Sequence, residues 1–170
     1  MTFASDLALG NNYETILINK LPHDTCNRPK GMFKEYDFEL MYKNKVIKYE
    51  VKCDRLSYKT SNIAIEYECN NKPSGISTTT ADYFAYFILS GKDKSMYTLF
   101  IVPTEYIRKK IKEKYYMYET TGGDRHLSRM YLFNVNVFLD YHRPELSTQP
   151  IDKVFLKPVV RESGYDDDEW

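Results

Sequence analysis

The sequence has few of the features that define disulfide-linked, fibrous or membrane proteins. It contains three cysteines in 170 residues, widely spaced and without a CxxC pair, so we expect a reducing compartment and no disulfide framework. Glycine and proline occur only seven times each, which excludes collagen-like and low-complexity chains. The longest apolar run, Tyr83 to Leu89, is far shorter than a membrane span, and the first residues lack the layout of a signal peptide. We therefore expect a folded, soluble protein that is not secreted.

The sequence also lacks an excess of charge of either sign, but its charges are unevenly distributed. Lysine and arginine together number 24, as do aspartate and glutamate. Residues Glu162 to Trp170 hold five of the acids and no base, so the rest of the chain has 24 bases against 19 acids, a net charge of +5. We expect a single domain over residues 1–160, basic enough for a nucleic-acid partner, and an acidic, disordered tail over residues 161–170. Docking of that tail on a protein partner is a second interpretation.

The pattern of apolar residues predicts an α/β domain with a mixed central sheet flanked by helices. Phe3 to Leu21 has apolar residues at helical spacing, interrupted only by Glu14. Lys43–Asn44–Lys45 has the composition of a hairpin turn, and Thr79 with Asp82 has the spacing of a helix-capping box. The predicted elements are helix 3–21, strands 35–42, 46–53 and 62–69, helix 80–89, strand 96–102, a helix that begins at Pro103, strand 130–139 and a short strand at 154–156.

Charged and apolar residues alternate along the second predicted strand. Glu50 and Lys52 share one face of it, because side chains at i and i+2 point the same way. If the first two strands pair through the turn at 43–45, Asp37 lies at the same end as this pair. Carboxylate oxygens bind Mg²⁺, and a lysine beside them can orient a water or stabilise developing charge, so the set suits phosphodiester hydrolysis. The plain alternative is a hairpin with one solvated face.

Three further features favour the catalytic interpretation. Glu14 lies on an apolar helical face, where a carboxylate normally needs a cation or hydrogen-bond donors. Glu66 and Glu68 add negative charge to one face of the third strand, which a metal ion would explain. Residues 75–83 place hydroxyls and backbone N–H groups at a predicted helix start, where a phosphate can bind. Ordinary helix capping is the alternative for this last segment.

Taken together, Glu14, Asp37 and the triplet Glu50–Val51–Lys52 resemble the PD-(D/E)xK nuclease superfamily. That superfamily includes restriction endonucleases, Holliday-junction resolvases and small phage or viral nucleases. The resemblance covers residues 3–102 and implies a restriction-endonuclease-like core in which a helix, three strands, a helix and a strand follow one another. Tyr36 stands where the name-giving proline of the family would be.

The resemblance also implies an activity and a set of site residues. It implies a Mg²⁺-dependent DNA endonuclease, in which Mn²⁺ can substitute, located in the cytoplasm of a bacterial or an infected host cell. The implied catalytic residues are Glu14, Asp37, Glu50 and Lys52. The implied metal ligands are the three carboxylates among these and the backbone carbonyl of Val51.

Further residues are candidate contacts to nucleic-acid phosphates. A basic helix after Pro103 and a loop at 122–126 can touch the backbone of a duplex, although a solvated basic face is the alternative. The candidate nucleic-acid-binding residues are Lys72, Ser77, Thr78, Lys109, Arg125 and Arg129. A homodimer would be the simplest way to cut both strands, since twofold symmetry matches the antiparallel strands of a duplex.

Two other interpretations are kept. A catalytically inactive nucleic-acid-binding or assembly module on the same fold is the principal alternative to an enzyme. His23 with the three cysteines, Cys26, Cys53 and Cys69, could supply four zinc ligands, but their spacing matches no compact zinc module.

Overall fold

A computed structural model describes residues 3–29, 35–90, 96–122 and 127–142 of the chain. The fold is mixed α/β, as predicted, and two sheets pack against each other through a shared apolar core. The first sheet has the order β1 (Thr25–Asn27), β2 (Phe38–Tyr42), β3 (Lys45–Asp54), β6 (Tyr83–Ser90) and β7 (Met96–Pro103). The second sheet has the order β5 (Lys72–Pro73), β4 (Asn62–Cys69), β9 (Ser128–Asn134) and β8 (Tyr118–Gly122). The described helices are α1 (Phe3–Lys20), α2 (Ser57–Thr60), α3 (Thr104–Lys112) and α4 (Asn136–Tyr141), with a 3-10 turn at Gly75–Ser77.

The first predicted helix is confirmed as α1. It covers one face of the first sheet and buries Tyr13, Leu17 and Ile18 there, against apolar residues of β2, β3 and β6. Glu14 lies next to this buried stripe and is itself partly buried. The amphipathic pattern of α1 therefore brings one carboxylate to the side of the first sheet.

The predicted hairpin is formed by β2 and β3. Tyr42 pairs with Lys45, so the turn itself is the two residues Lys43 and Asn44, with φ angles of 49° and 62°. Two successive positive φ angles are typical of a type I′ turn, whose twist matches that of the flanking strands. Because β2 begins at Phe38, the predicted strand start at Glu35 is three residues too early.

The predicted helix at residues 80–89 is wrong, because this segment is strand β6. Every residue from Phe84 to Leu89 is buried, on one face against α1 and on the other against the second sheet. A surface helix needs a polar stripe, whereas a central strand covered on both faces is apolar throughout. β6 runs parallel to β3 and antiparallel to β7, which confirms the predicted strand at 96–102.

The predicted strand at 62–69 is confirmed, but it belongs to the second sheet rather than to the first. The predicted strand at 130–139 is only half right, because β9 ends at Asn134 and α4 follows it. β8 was not predicted. β1 of the first sheet and β5 of the second were not predicted either.

The helix predicted after Pro103 is confirmed as α3. Ile107 is buried, whereas Tyr115 lies beyond the helix and is exposed. The three cysteines are free thiols, and Cys26 is exposed. Among the described residues no helix has the length and hydrophobicity to cross a membrane. Several predictions lie outside the described residues, namely Arg125, the strand at 154–156, the domain limit at 160 and the tail at 161–170.

Candidate active site

Strand β3 presents the predicted triplet as the sequence pattern required. Tyr49 and Val51 face the core beneath α1, so Glu50 and Lys52 share the opposite face. Glu50 is only 7% exposed, which is unusual for a carboxylate. Its Oε1 atom lies 2.5 Å from Nζ of Lys52, whose side chain is 43% exposed. The pair therefore joins a buried carboxylate to a lysine whose side chain is partly exposed.

Asp37 lies directly before β2 and is bonded to the same triplet. Its backbone N–H donates to the Tyr49 carbonyl at 2.9 Å, which extends the hairpin ladder by one residue. Beyond that point the Asp37 side chain replaces the backbone as the partner of β3. Its Oδ2 atom accepts a hydrogen bond from the Val51 N–H at 2.6 Å. The structure thus brings Asp37 to the middle residue of Glu50–Val51–Lys52.

The orientation of the Val51 peptide follows from this bond. In a β-strand the N–H and C=O groups of one residue point toward the same edge. Since the Val51 N–H points at Asp37, the Val51 carbonyl is directed toward the edge of β3 that carries the Asp37 carboxylate. An oxygen atom of the backbone is therefore available beside the carboxylates.

Burial and neighbouring charges shift the pKa values of the titratable groups in this cluster. Burial, followed by the charge of Glu50, raises the pKa of Asp37 to about 6, against the opposing effects of Lys52 and the Val51 N–H. Burial acts to lower the pKa of Lys52, but the charges of Glu50 and Asp37 outweigh it and raise that pKa above its ordinary value. Lys52 is therefore protonated at neutral pH, while Asp37 changes its charge within the range of common assay conditions.

Glu14 reaches the same group of charges from α1. Burial raises its pKa; the charge of Arg28 opposes this rise, Glu50 adds to it, and Lys52 opposes it. The structure therefore joins Asp37, Glu50 and Lys52 through direct bonds at the triplet, and Glu14 lies near enough to interact with the charges of Glu50 and Lys52. Arg28, which also donates to the Thr15 hydroxyl at 2.9 Å, supplies the cation that a carboxylate on this helical face needs.

The acids of the third predicted strand do not form the expected charged face. A β-bulge separates Glu66 from Glu68, and their partners on β9 are the consecutive residues Met130 and Arg129. Consecutive strand residues point to opposite faces, so the two glutamates do as well. Glu66 accepts a hydrogen bond from the Ser74 hydroxyl, and Glu68 forms an ion pair with Arg129 at 3.6 Å. Protein groups rather than a metal ion account for these two charges.

The predicted phosphate site at a helix start is wrong, because residues 75–83 contain no α-helix. Each backbone N–H group from Ser77 to Asp82 donates to an acceptor within the protein. Thr79 and Asp82, the predicted helix-capping pair, bind other parts of the protein. The Thr79 hydroxyl donates to the Glu35 carbonyl at 2.7 Å, and the Asp82 carboxylate accepts from the Lys48 N–H at 2.8 Å. This loop is therefore bound to the β2–β3 hairpin instead of opening toward a ligand.

The other predicted nucleic-acid contacts lie on several elements. Lys72 on β5, Ser77 on the 3-10 turn and Lys109 on α3 are exposed, whereas Thr78 is partly buried. Arg129 on β9 is exposed and lies 5.8 Å from the ring centre of Tyr67. Arg129 is paired with Glu68 and Lys109 with Glu113, and the structure does not gather the described residues of this set into one site.

Two residues beside the triplet were missed by the sequence analysis. Thr79, which is 3% exposed, has its hydroxyl 3.5 Å from Oε2 of Glu50. Arg108 on α3 donates from its guanidinium to the Thr79 carbonyl at 2.8 Å. Both residues are far from the triplet in sequence, and Thr79 lies in the segment that was misread as a helix start. No local pattern could have linked them to Glu50.

In the described ranges no three His, Cys, Asp or Glu side chains form a group that could hold a metal ion as they stand.

Comparison with known proteins gives no relative. No protein-family model, no curated protein and no solved structure matches the chain.

Proposed function

We propose that this protein is a metal-dependent endonuclease that hydrolyses phosphodiester bonds in DNA. The observation that carries the proposal is the hydrogen bond between Asp37 and the Val51 N–H. It joins an acid directly before β2 to the triplet on β3 that carries a second acid and a lysine. A plain solvated hairpin face has no need to direct two carboxylates and an ammonium group at one another.

The chemistry of the donor set fits Mg²⁺ or Mn²⁺. Three carboxylates and one ammonium group, those of Glu14, Asp37, Glu50 and Lys52, leave an excess of negative charge in a partly buried place. Hard oxygen ligands of this kind suit Mg²⁺, which commonly keeps several waters and uses few protein ligands. Asp37, Glu50, Glu14 and the Val51 carbonyl would hold the ion. When bound, such an ion neutralises charge on the phosphate and makes a nearby water more acidic.

Lys52 has a separate task in this proposal. Its ammonium group stays charged and contacts Glu50, and its side chain as a whole is 43% exposed. It can therefore hold the attacking water in position and stabilise negative charge that develops on the phosphate. Asp37 contributes only when ionised, so cleavage should increase as the pH rises through about 6.

The finer features of the fold and setting belong to the same proposal. Helix α1, the β2–β3 hairpin and the parallel strand β6 are the elements we assign to a restriction-endonuclease-like core. Lys72, Lys109 and Arg129 supply exposed positive charge for the duplex. A homodimer would present two sites to the two strands, and the cytoplasm of a bacterial or an infected host cell would supply the DNA.

A second candidate, an inactive nucleic-acid-binding module, is favoured by two observations. In the part of the chain that is described, Glu50 is paired directly with Lys52, and no three acidic, histidine or cysteine side chains form a metal-holding group. An inactive descendant of a nuclease could use this ion pair as a purely structural contact. It would bind DNA without cutting it.

The test is a cleavage assay with matched variants. Wild type is incubated with supercoiled plasmid, single-stranded DNA and branched DNA, in Mg²⁺, in Mn²⁺ or in EDTA. We expect cleavage that requires the divalent ion and is lost in Lys52→Met. Lys59→Met, which changes an exposed lysine on α2, should cut like wild type, so that the loss in Lys52→Met is specific to its position. That loss also excludes a contaminating nuclease. DNA binding without cleavage in either metal would instead support the inactive module.

A further inference from the structure

The loop that leads into β6 connects Glu50 to helix α3. Thr79 is buried in this loop, and its hydroxyl has two acceptors within reach. One is the Glu35 carbonyl at 2.7 Å and the other is Oε2 of Glu50 at 3.5 Å. A hydroxyl has a single proton to donate, so Thr79 can bond one of these two acceptors at a time.

The position of Thr79 is itself fixed from α3. One guanidinium nitrogen of Arg108 donates to the Thr79 carbonyl at 2.8 Å, and another lies 2.6 Å from the Glu105 carboxylate. The planar fork of an arginine holds two such partners in a defined geometry. Arg108 therefore fastens the loop to α3 at the residue that faces Glu50.

We propose that Thr79 and Arg108 are positioning residues that set the orientation of the Glu50 carboxylate. The inference rests on the proposed nuclease function. Lys52 holds Oε1 of Glu50, and Thr79 faces the other oxygen, Oε2. Thr79 bonds the nearer Glu35 carbonyl in the structure, and a rotation of its hydroxyl would turn the proton toward Oε2. Lys52 and Thr79 would then hold the two oxygens of the carboxylate from opposite sides.

A direct role of Arg108 in binding DNA is the competing explanation. Its side chain is 39% exposed, and its helix carries the exposed Lys109. The two roles predict different kinetics. Loss of a phosphate contact weakens DNA binding and reduces its salt dependence, whereas loss of positioning lowers kcat and leaves binding unchanged.

The experiment measures kcat, KM and Mn²⁺ affinity for Thr79→Val, Thr79→Ser, Arg108→Ala and the double variant Thr79→Val/Arg108→Ala. We expect Thr79→Val and Arg108→Ala each to lower kcat about tenfold with KM unchanged, the size of effect that misplacing a catalytic group produces. The double variant should be no worse than either single one, because both changes break one connection. Thr79→Ser should retain activity, since it keeps the hydroxyl, and Thr79→Val should bind Mn²⁺ several-fold more weakly.

The control and the contrary outcomes separate this inference from the proposed function. Lys59→Met, at an exposed lysine on α2 that contacts neither Thr79 nor Arg108, should behave like wild type. A higher KM in Arg108→Ala with unchanged kcat, or additive effects in the double variant, would overturn the positioning role. If Thr79→Val melts too low to assay, Arg108→Ala and Thr79→Ser still decide the question. A wild type that cuts, with both single variants equal to it, overturns this inference alone; a wild type that never cuts overturns the proposed function as well.

Discussion

Strands β3 and β6 lie side by side in the first sheet, yet they present opposite chemistry on the same face. In their parallel register Glu50 is adjacent to Phe84, and Lys52 to Tyr86. The β6 residues are covered by the apolar side chains of β4 and β9, whereas Lys52 on β3 meets solvent. Within one strand spacing, about 4.8 Å, the sheet changes from apolar core to charged site.

The comparison shows how the molecule separates stability from chemistry. β6 buries six consecutive residues and contributes to both halves of the core, so it supplies rigidity. β3 carries charges whose burial is unfavourable, and Asp37 at its edge is held partly in the protonated state. A site of this kind is tolerated because the neighbouring strand stabilises the sheet beneath it.

The largest expected effect is the loss of stability when a buried side chain of β6 is removed. Phe84 is 1% exposed, so Phe84→Ala should lower the free energy of unfolding by about 3–5 kcal/mol through lost burial and a cavity. Urea denaturation followed by circular dichroism measures this change. Glu50→Gln, at the adjacent register position, is the control and should lose far less stability. A loss as large in Glu50→Gln as in Phe84→Ala would contradict the division of labour between the two strands.

The second effect is the loss of cleavage when charged groups at β3 are removed. Asp37→Ala, Glu50→Ala and Lys52→Ala should each reduce cleavage about 100-fold or more, equivalent to about 2.7 kcal/mol of activation free energy, as expected when charged groups are removed from a preorganised site. Each variant should keep the far-ultraviolet spectrum of wild type. Initial cleavage rates on plasmid DNA in Mg²⁺ provide the measurement. Retained activity in Asp37→Ala would remove that residue from the site.

The local pattern of β3 was predictable from sequence because alternation fixes which side chains share a face. Glu50 and Lys52 lie together as expected, and the two-residue turn brings Asp37 to them. The apolar segment 83–89 was misread because a run of seven apolar residues has neither helical nor strand periodicity. Only the presence of a second sheet, which covers its other face, makes it a strand.

The parts of the site that sequence could not indicate depend on long-range contacts. Thr79 reaches Glu50, and Arg108 reaches Thr79, each across 29 residues of chain. The separation of Glu66 from Glu68 results from a bulge that an alternation rule does not foresee. Spacing predicts neighbours along one strand, whereas packing decides which strands and loops meet.

A third, smaller effect sharpens the comparison through the charge of Asp37, which lies beside β3. Asp37 has a pKa of about 6 in the native protein against an ordinary value of 3.8, so between these pH values the native state binds more protons than the unfolded state. Wild-type stability should therefore fall as the pH rises from about 4 to 6 and level off above that range. Asp37→Asn should flatten this profile and raise the free energy of unfolding at pH 7 by about 2 kcal/mol, allowing for a weaker bond to the Val51 N–H.

Chemical denaturation at a series of pH values measures the profile. Glu105→Gln is the control, because an exposed carboxylate should leave the profile unchanged. Mg²⁺ or Mn²⁺ should stabilise wild type more at pH 7 than at pH 5, since a proton on Asp37 competes with the cation. A wild-type stability that rises between pH 4 and 6 would contradict the assignment of the raised pKa to Asp37.

The smallest effect concerns the polar atom that β6 directs toward β3. The Tyr86 hydroxyl donates to Asp54 Oδ2 at 2.7 Å and accepts from the Ala64 N–H at 3.3 Å, so it joins β6 to β3 and β4. Tyr86→Phe should lower the free energy of unfolding by about 1 kcal/mol, because both partners lose a hydrogen bond while the ring stays packed. A double-mutant cycle with Asp54→Asn in urea isolates the bond, and we expect the two changes to be less than additive. Full additivity would mean that the tyrosine acts through its ring alone, and β6 would then be as purely apolar as its sequence suggests.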